Sequence, residues 1–256
     1  MAVELHHVVS GPADGPVVLL GPSLGTTLEM WDDLAGALSE RYRVVRFDTR
    51  GHGKSPVPAG PYTVTELVGD VVALADSLGL DRFAYVGLSL GGLVGQALAV
   101  EHPDRVTALV LACTGPSFGD PATWRERAER VRAEGMAWLV EPTKGRWFTP
   151  GFMADHPDRA QPLLDMIASV DPEGYASCCE AIAETDLTPR LPEIAAPTRV
   201  IAGADDPVSP PSVGQVLVDQ IPEADLVVVA DASHIANVAH PAAFDAAVLE
   251  HLRRHL

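Results

Sequence analysis

Cysteine is scarce in this chain: Cys113, Cys178 and Cys179 are the only three in 256 residues, and two of them are adjacent. Neighbouring cysteines cannot close an unstrained disulfide, and the three have no zinc-ligand spacing. Neither a disulfide framework nor a structural metal is expected, and a reduced cytoplasm is the expected setting. Long apolar runs are also missing. Val64 to Leu80 comes closest and is interrupted by Glu66, Asp70 and Asp76, so no membrane span is expected. Met1 to Ser10 lacks the apolar core of a signal peptide. Positive charge is short: 18 Lys and Arg face 35 Asp and Glu, a net charge of -17. Such a surface repels nucleic acid and anionic lipid. A small anionic ligand would need a cation dedicated to it. Repeats and low-complexity tracts are absent too.

What is present is a regular alternation. Hydrophobic residues make up 47% of the chain, enough for a substantial core. Apolar strands are expected at Val3 to Val9, Val17 to Leu20, Tyr42 to Phe47, Arg82 to Leu88 and Val106 to Ala112. Amphipathic helices are expected between them, at Leu28 to Ser39, from Thr63 or Thr65 to Gly79, and at Leu90 to Val100. This order predicts an α/β fold with a mostly parallel central sheet flanked by helices. The rhythm then changes. From about Gly115 to Thr188 only helices are expected: Trp124 to Val140, with a weak point at Gly135, Ala160 to Ser169 and Gly174 to Ala183. Strands resume at Thr198 to Ile201 and Leu226 to Ala230, with helices near Ser212 to Gln220 and Pro241 to Arg254. Residues 1–114 and 189–256 thus read as the core, and 115–188 as an inserted helical cap. An insertion after a strand end can cover the edge where open α/β sheets bind ligands.

The sharpest local signal is Gly87-Leu88-Ser89-Leu90-Gly91, set between a strand and a helix. A nucleophilic serine on a tight strand-to-helix turn needs this context, because flanking glycines permit close backbone approach. The amide of Leu90 then lies at a helix N-terminus, where it can stabilise an oxyanion. The pattern alone is not decisive; its placement is what gives it weight. A serine hydroxyl needs a base. Among nine histidines, His234 follows the last strand in Asp231-Ala232-Ser233-His234-Ile235, at the same sheet edge as the Ser89 turn. Its rival His52 sits between Gly51 and Gly53 and reads as structural. His6, His7, His251 and His255 lie near the ends and read as solvated. The histidine needs a carboxylate to hold its tautomer. Asp205 and Asp206 both follow the strand ending at Ile201, and either can serve.

The assembly of Ser89, an aspartate and His234 resembles the α/β-hydrolase superfamily across nearly the whole chain. Its Gly-x-x-Asp-x-x-x-Pro pattern is matched by Gly203, Asp206 and Pro210, which favours Asp206. Some members carry the acid after the strand before the cap, but here Cys113 and Thr114 stand there. A finer resemblance is to the 3-oxoadipate enol-lactonase family of aromatic catabolism. It is carried by Ser23 to Thr27 with Met30-Trp31-Asp32, Phe47 to Gly53, Gly87 to Gly95, Arg146 to Pro150, and His234 to Val238. Pro22 departs from that family, which usually has asparagine there.

The resemblance implies hydrolysis of 3-oxoadipate enol-lactone in the β-ketoadipate pathway through an acyl-enzyme on Ser89. Leu24 would supply the second oxyanion amide beside Leu90. An enol is a good leaving group, so no metal or other cofactor is needed. The implied partner is a small anionic lactone, taken up by a monomer or small homo-oligomer. Its free carboxylate calls for a cation, and Arg146, flanked by Trp147, is the residue the resemblance points to. Arg125, Arg127, Arg130 and Arg132, interleaved with Glu126, Glu129 and Glu134, read as a solvated helix face. The alternatives are a general carboxylesterase or cofactor-free haloperoxidase-like hydrolase, and a ligand-binding or signalling protein on the same fold.

Overall fold

The computed structural model describes residues 1–256. Seven strands form one sheet: β1 (His7–Ser10), β2 (Val17–Gly21), β3 (Arg43–Phe47), β4 (Phe83–Leu88), β5 (Val106–Ala112), β6 (Thr198–Gly203) and β7 (Ala224–Val229). Their order is β1-β3-β2-β4-β5-β6-β7. Only β1 runs antiparallel, against β3; every other pairing is parallel. The central strands β4 and β6 are buried throughout, because helices cover both faces of a parallel sheet. The edge strands β1 and β7 are only partly covered. β1 begins at His7, later than the apolar pattern suggests, since only four residues pair with β3.

The helices of the sheet layers are α1 (Asp32–Leu38), α2 (Val64–Ser77) and α3 (Leu90–Glu101). A 3-10 turn at Leu28–Trp31 precedes α1. Thr63 and Glu66 close a reciprocal cap on α2: the Thr63 hydroxyl accepts the Glu66 amide, and the Glu66 carboxylate accepts the Thr63 amide. Between β5 and β6 the chain forms no strand. It makes α4 (Pro121–Glu134), α5 (Val140–Trp147), α6 (Pro150–Asp155), α7 (Pro157–Ser169) and α8 (Pro172–Ala183). The helix expected over Trp124 to Val140 gives way at its weak point: it stops at Glu134, because Gly135 takes a left-handed conformation (φ 75°). After β6 come α9 (Pro211–Gln220), α10 (Ala236–Ala239) and α11 (Pro241–His255). No helix is long and apolar enough to cross a membrane.

One cluster of 76 buried apolar residues runs from the sheet into the inserted helices, so the insertion is continuous with the core rather than hinged on a polar linker. Within the insertion, salt bridges join α4 to α8: Arg132 reaches Glu173 at 2.8 Å and Glu180 at 2.7 Å, and Arg125 reaches Glu184 at 2.6 Å. At its start α8 lies on the Gly51 turn. A Cβ on Gly51 would come within 2.4 Å of the Gly174 Cα, so this approach requires glycine.

Candidate active site

The strand order places the site. From β2 the chain leaves toward β3 on one side of the sheet, and from β4 it leaves toward β5 on the other. The C-terminal ends of β2 and β4, with Gly21 opposite Gly87, therefore open a crevice at a topological switch point. The loop Pro22 to Gly25 leaves one side of it and Ser89 the other.

Ser89 links β4 directly to α3 with φ 56° and ψ -114°, a conformation disfavoured for any side-chain-bearing residue. Its neighbours hold it there. The Ser89 amide donates to the Ala112 carbonyl at 2.9 Å, and the Ser89 carbonyl accepts the Thr114 hydroxyl at 2.9 Å. The turn is so tight that a Cβ on Gly87 would meet the Gly91 carbonyl oxygen at 2.2 Å, and one on Gly91 the Gly21 oxygen at 2.1 Å. This is the physical content of the Gly-x-Ser-x-Gly pattern.

Asp206 and His234 pair directly: His234 Nδ1 lies 2.8 Å from Asp206 Oδ2, both residues being buried. The other Asp206 oxygen accepts the Val208 amide at 2.8 Å. Asp205, its sequence neighbour, is exposed. Ser89 and His234 line the same cleft, and no direct hydrogen bond joins the hydroxyl to the ring. Cys113, at the end of β5, stands behind Asp206 with a left-handed φ of 45°. Burial, then the Asp206 charge, pushes its thiol well above the usual range. Burial likewise raises Cys178, and raises Cys179 to about 12. All three cysteines are free and buried, so none competes as a thiolate nucleophile near neutrality.

The Leu24 and Leu90 amides donate to no acceptor in the chain. Leu90 is the first residue of α3, where an amide has no partner within the helix. The loop carrying Leu24 is held from both sides. The Ser23 amide rests on Met30 Sδ at 3.3 Å, and the Gly25 amide donates to His52 Nε2 at 3.0 Å. On its other edge, His52 Nδ1 faces the Arg50 carbonyl at 3.3 Å. The ring thus donates through Nδ1 and accepts through Nε2. Burial lowers its pKa to about 4, which keeps it neutral. His52 acts as a brace for the loop. His251 differs from the sequence expectation: it is buried rather than solvated, with Nε2 at 3.1 Å from the Pro197 carbonyl.

The inserted helices complete the cleft with Arg146 and the buried Trp147 from α5. The backbone there is tied to the histidine loop. The Arg146 carbonyl accepts the Ser233 hydroxyl at 2.7 Å and the His234 amide at 3.4 Å, and the Trp147 carbonyl accepts the Ile235 amide at 3.1 Å. Arg127 corrects the sequence reading. It does not share the solvated face of Arg125, Arg130 and Arg132 but lines the cleft with Arg146. The Glu and Arg alternation along α4 hid this, because helical phase alone does not reveal which groove a neighbouring helix leaves open.

Residues 16–142 match the family model for the alpha/beta hydrolase fold. The chain is 42% identical over 252 residues to 3-oxoadipate enol-lactonase 2 of Acinetobacter baylyi, covering 98% of this chain and 94% of that one. It is 34% identical to a candidate carbamate hydrolase, RutD, of Variovorax paradoxus, covering 98% of this chain and 97% of the relative. The crystal structure of the enol-lactonase from Burkholderia xenovorans LB400 superimposes with a TM-score of 0.95 at 42% identity, covering 97% of this chain and 96% of that one.

Proposed function

The chain belongs to the α/β-hydrolase family and is a hydrolase of ester or lactone bonds, and from that premise we propose that it opens 3-oxoadipate enol-lactone, as in the β-ketoadipate route of aromatic breakdown, through a Ser-His-Asp acyl-enzyme mechanism. Ser89 attacks the ring carbonyl while His234 takes the hydroxyl proton. Asp206 holds the His234 tautomer and stabilises the imidazolium. The free amides of Leu24 and Leu90 receive the oxyanion. As the carbonyl re-forms, the ring C–O bond breaks and His234 returns the proton to the leaving enol oxygen. The enol then becomes a ketone. Water, deprotonated by His234, attacks the acyl carbon; Ser89 leaves with the proton and 3-oxoadipate is released.

Residues 115–188 act as a helical cap over a core of 1–114 and 189–256. From this cap, Arg146 pairs with the substrate carboxylate and Trp147 walls the ring. The observation that carries the reading is the buried 2.8 Å contact of His234 with Asp206 at a cleft shared with Ser89 and an arginine free of any carboxylate. The test is an assay of wild type and Ser89→Ala on the enol-lactone, neutral aryl esters and a carbamate. The carbamate arm is included because of the 34% identity to RutD. The lactone should be the best substrate, and Ser89→Ala should lose at least about a thousandfold in kcat. Preference for a neutral ester or the carbamate would replace the substrate; full activity of Ser89→Ala would remove the mechanism.

A further inference from the structure

The four arginines of α4 do not share one fate. Arg125 pairs with Glu184, Arg130 with Glu134, and Arg132 with Glu173 and Glu180. Arg127 has no carboxylate within salt-bridge reach, and neither has Arg146. Both line the Ser89 cleft, and no Asp or Glu lines it with them. A chain of net charge -17 therefore leaves two positive charges uncompensated in its one reactive cleft.

Arg127 is also positioned. Its guanidinium carbon lies 4.4 Å from the centre of the Trp124 ring, and the Trp124 indole N–H is itself anchored on the Phe118 carbonyl at 2.5 Å. A guanidinium stacked on a fixed indole keeps its in-plane N–H groups available for a ligand. The two cations feel each other. Burial, and after it the charge of Arg127, lowers the pKa of Arg146, and both arginines favour ionisation of the buried Tyr175 hydroxyl against its burial. Two like charges facing one buried hydroxyl repel, and an anion placed between them relieves that cost.

We propose that Arg127 is a second specificity-determining cation, forming with Arg146 a two-arginine clamp that selects acyl substrates bearing a carboxylate distant from the reacting carbonyl. The inference rests on the reading of this cleft as the site where an ester or lactone is opened. It goes beyond that reading in assigning anion selection to a helix whose remaining arginines serve only structure.

The test compares two aryl esters, anionic 4-nitrophenyl hydrogen succinate and neutral 4-nitrophenyl butyrate, on wild type, Arg127→Ala, Arg127→Lys and the same-helix control Arg125→Ala. Succinate binding to Ser89→Ala, with and without Arg127→Ala, is followed by calorimetry, so the answer does not require turnover. Loss of a charge-assisted contact should lower kcat/KM for the anionic ester by about tenfold or more, chiefly through KM, and weaken succinate similarly. The neutral ester should change less than about twofold, lysine should recover part of the loss, and Arg125→Ala should behave as wild type. Equal losses on both esters, or an unchanged anionic ester with unchanged succinate binding, would overturn the clamp. The enol-lactone is assayed in parallel. If it is not opened while the ester pair still discriminates, the lactone reading fails and the clamp stands. If it is opened and the pair does not discriminate, the reverse holds.

Discussion

His52 Nε2 accepts the amide of Gly25 at 3.0 Å, so a histidine that takes no proton in the proposed chemistry positions the residue next to Leu24, the proposed oxyanion donor. His52→Ala removes the acceptor and frees the Ser23 to Gly25 loop. Deleting an oxyanion donor outright costs about a hundredfold to a thousandfold in kcat; loosening its loop should cost about tenfold to a hundredfold, with a smaller change in KM. Steady-state kinetics on any turned-over ester decides this, and an unchanged kcat would show that the brace is dispensable.

Neutrality of His52 also makes stability depend on pH. Its folded pKa is lowered to about 4 from an ordinary 6.5 by burial. Between those values the unfolded chain binds a proton that the folded chain refuses, so stability rises with pH across this window and is lost as pH falls from 6.5 toward 4. The full effect is of the order of 3 kcal/mol. Urea unfolding from pH 7 to pH 4 should show a steeper loss in wild type than in His52→Gln; parallel curves would count against it.

Asp245 on α11 carries the opposite sign. Burial, followed by the charge of Asp33, raises its pKa to about 6, and its Oδ1 has no hydrogen-bond partner. The folded state favours the protonated acid, so stability present below an ordinary value of 3.8 is lost as pH rises through 6. Asp245→Asn should therefore raise the melting temperature at pH 7. Because the residue is only half-buried, screening by solvent should hold the gain to the order of 1 kcal/mol. The gain should vanish below pH 4. A melting temperature unchanged or lowered at pH 7 would refute it.

Gly91→Ala tests the elbow through backbone alone. The new methyl would sit 2.1 Å from the Gly21 carbonyl oxygen, and backbone atoms on both sides cannot yield cheaply. A loss of about 2 kcal/mol or more is expected, with activity lost alongside. In contrast Gly36→Ala, where a Cβ meets nothing within 4 Å, should be neutral or slightly stabilising within α1. Chemical denaturation of the two variants provides the comparison.

Much of this protein is legible from local pattern. Apolar strands such as Val17 to Leu20 and Val106 to Ala112 stand out because both faces of a parallel sheet must be dry, and the Ser89 turn stands out because its crowding admits only glycine at Gly87 and Gly91. The inserted segment is harder to read. Gly135 breaks a pattern that would otherwise continue, and α5 and α6 are too short for periodicity to mark.

The residue order alone determined the layered α/β plan, the strained serine between strand and helix, and the excess acidity that makes any cation in a cleft informative. Local pattern left Asp205 and Asp206 open, and the family spacing of Gly203, Asp206 and Pro210 favoured Asp206; only tertiary packing decided that His52 braces a loop 27 residues away and that Arg127 turns from the solvent face into the cleft. The reason is that periodicity reports which face of an element is dry, while the choice among neighbouring polar groups depends on what the rest of the fold brings opposite them.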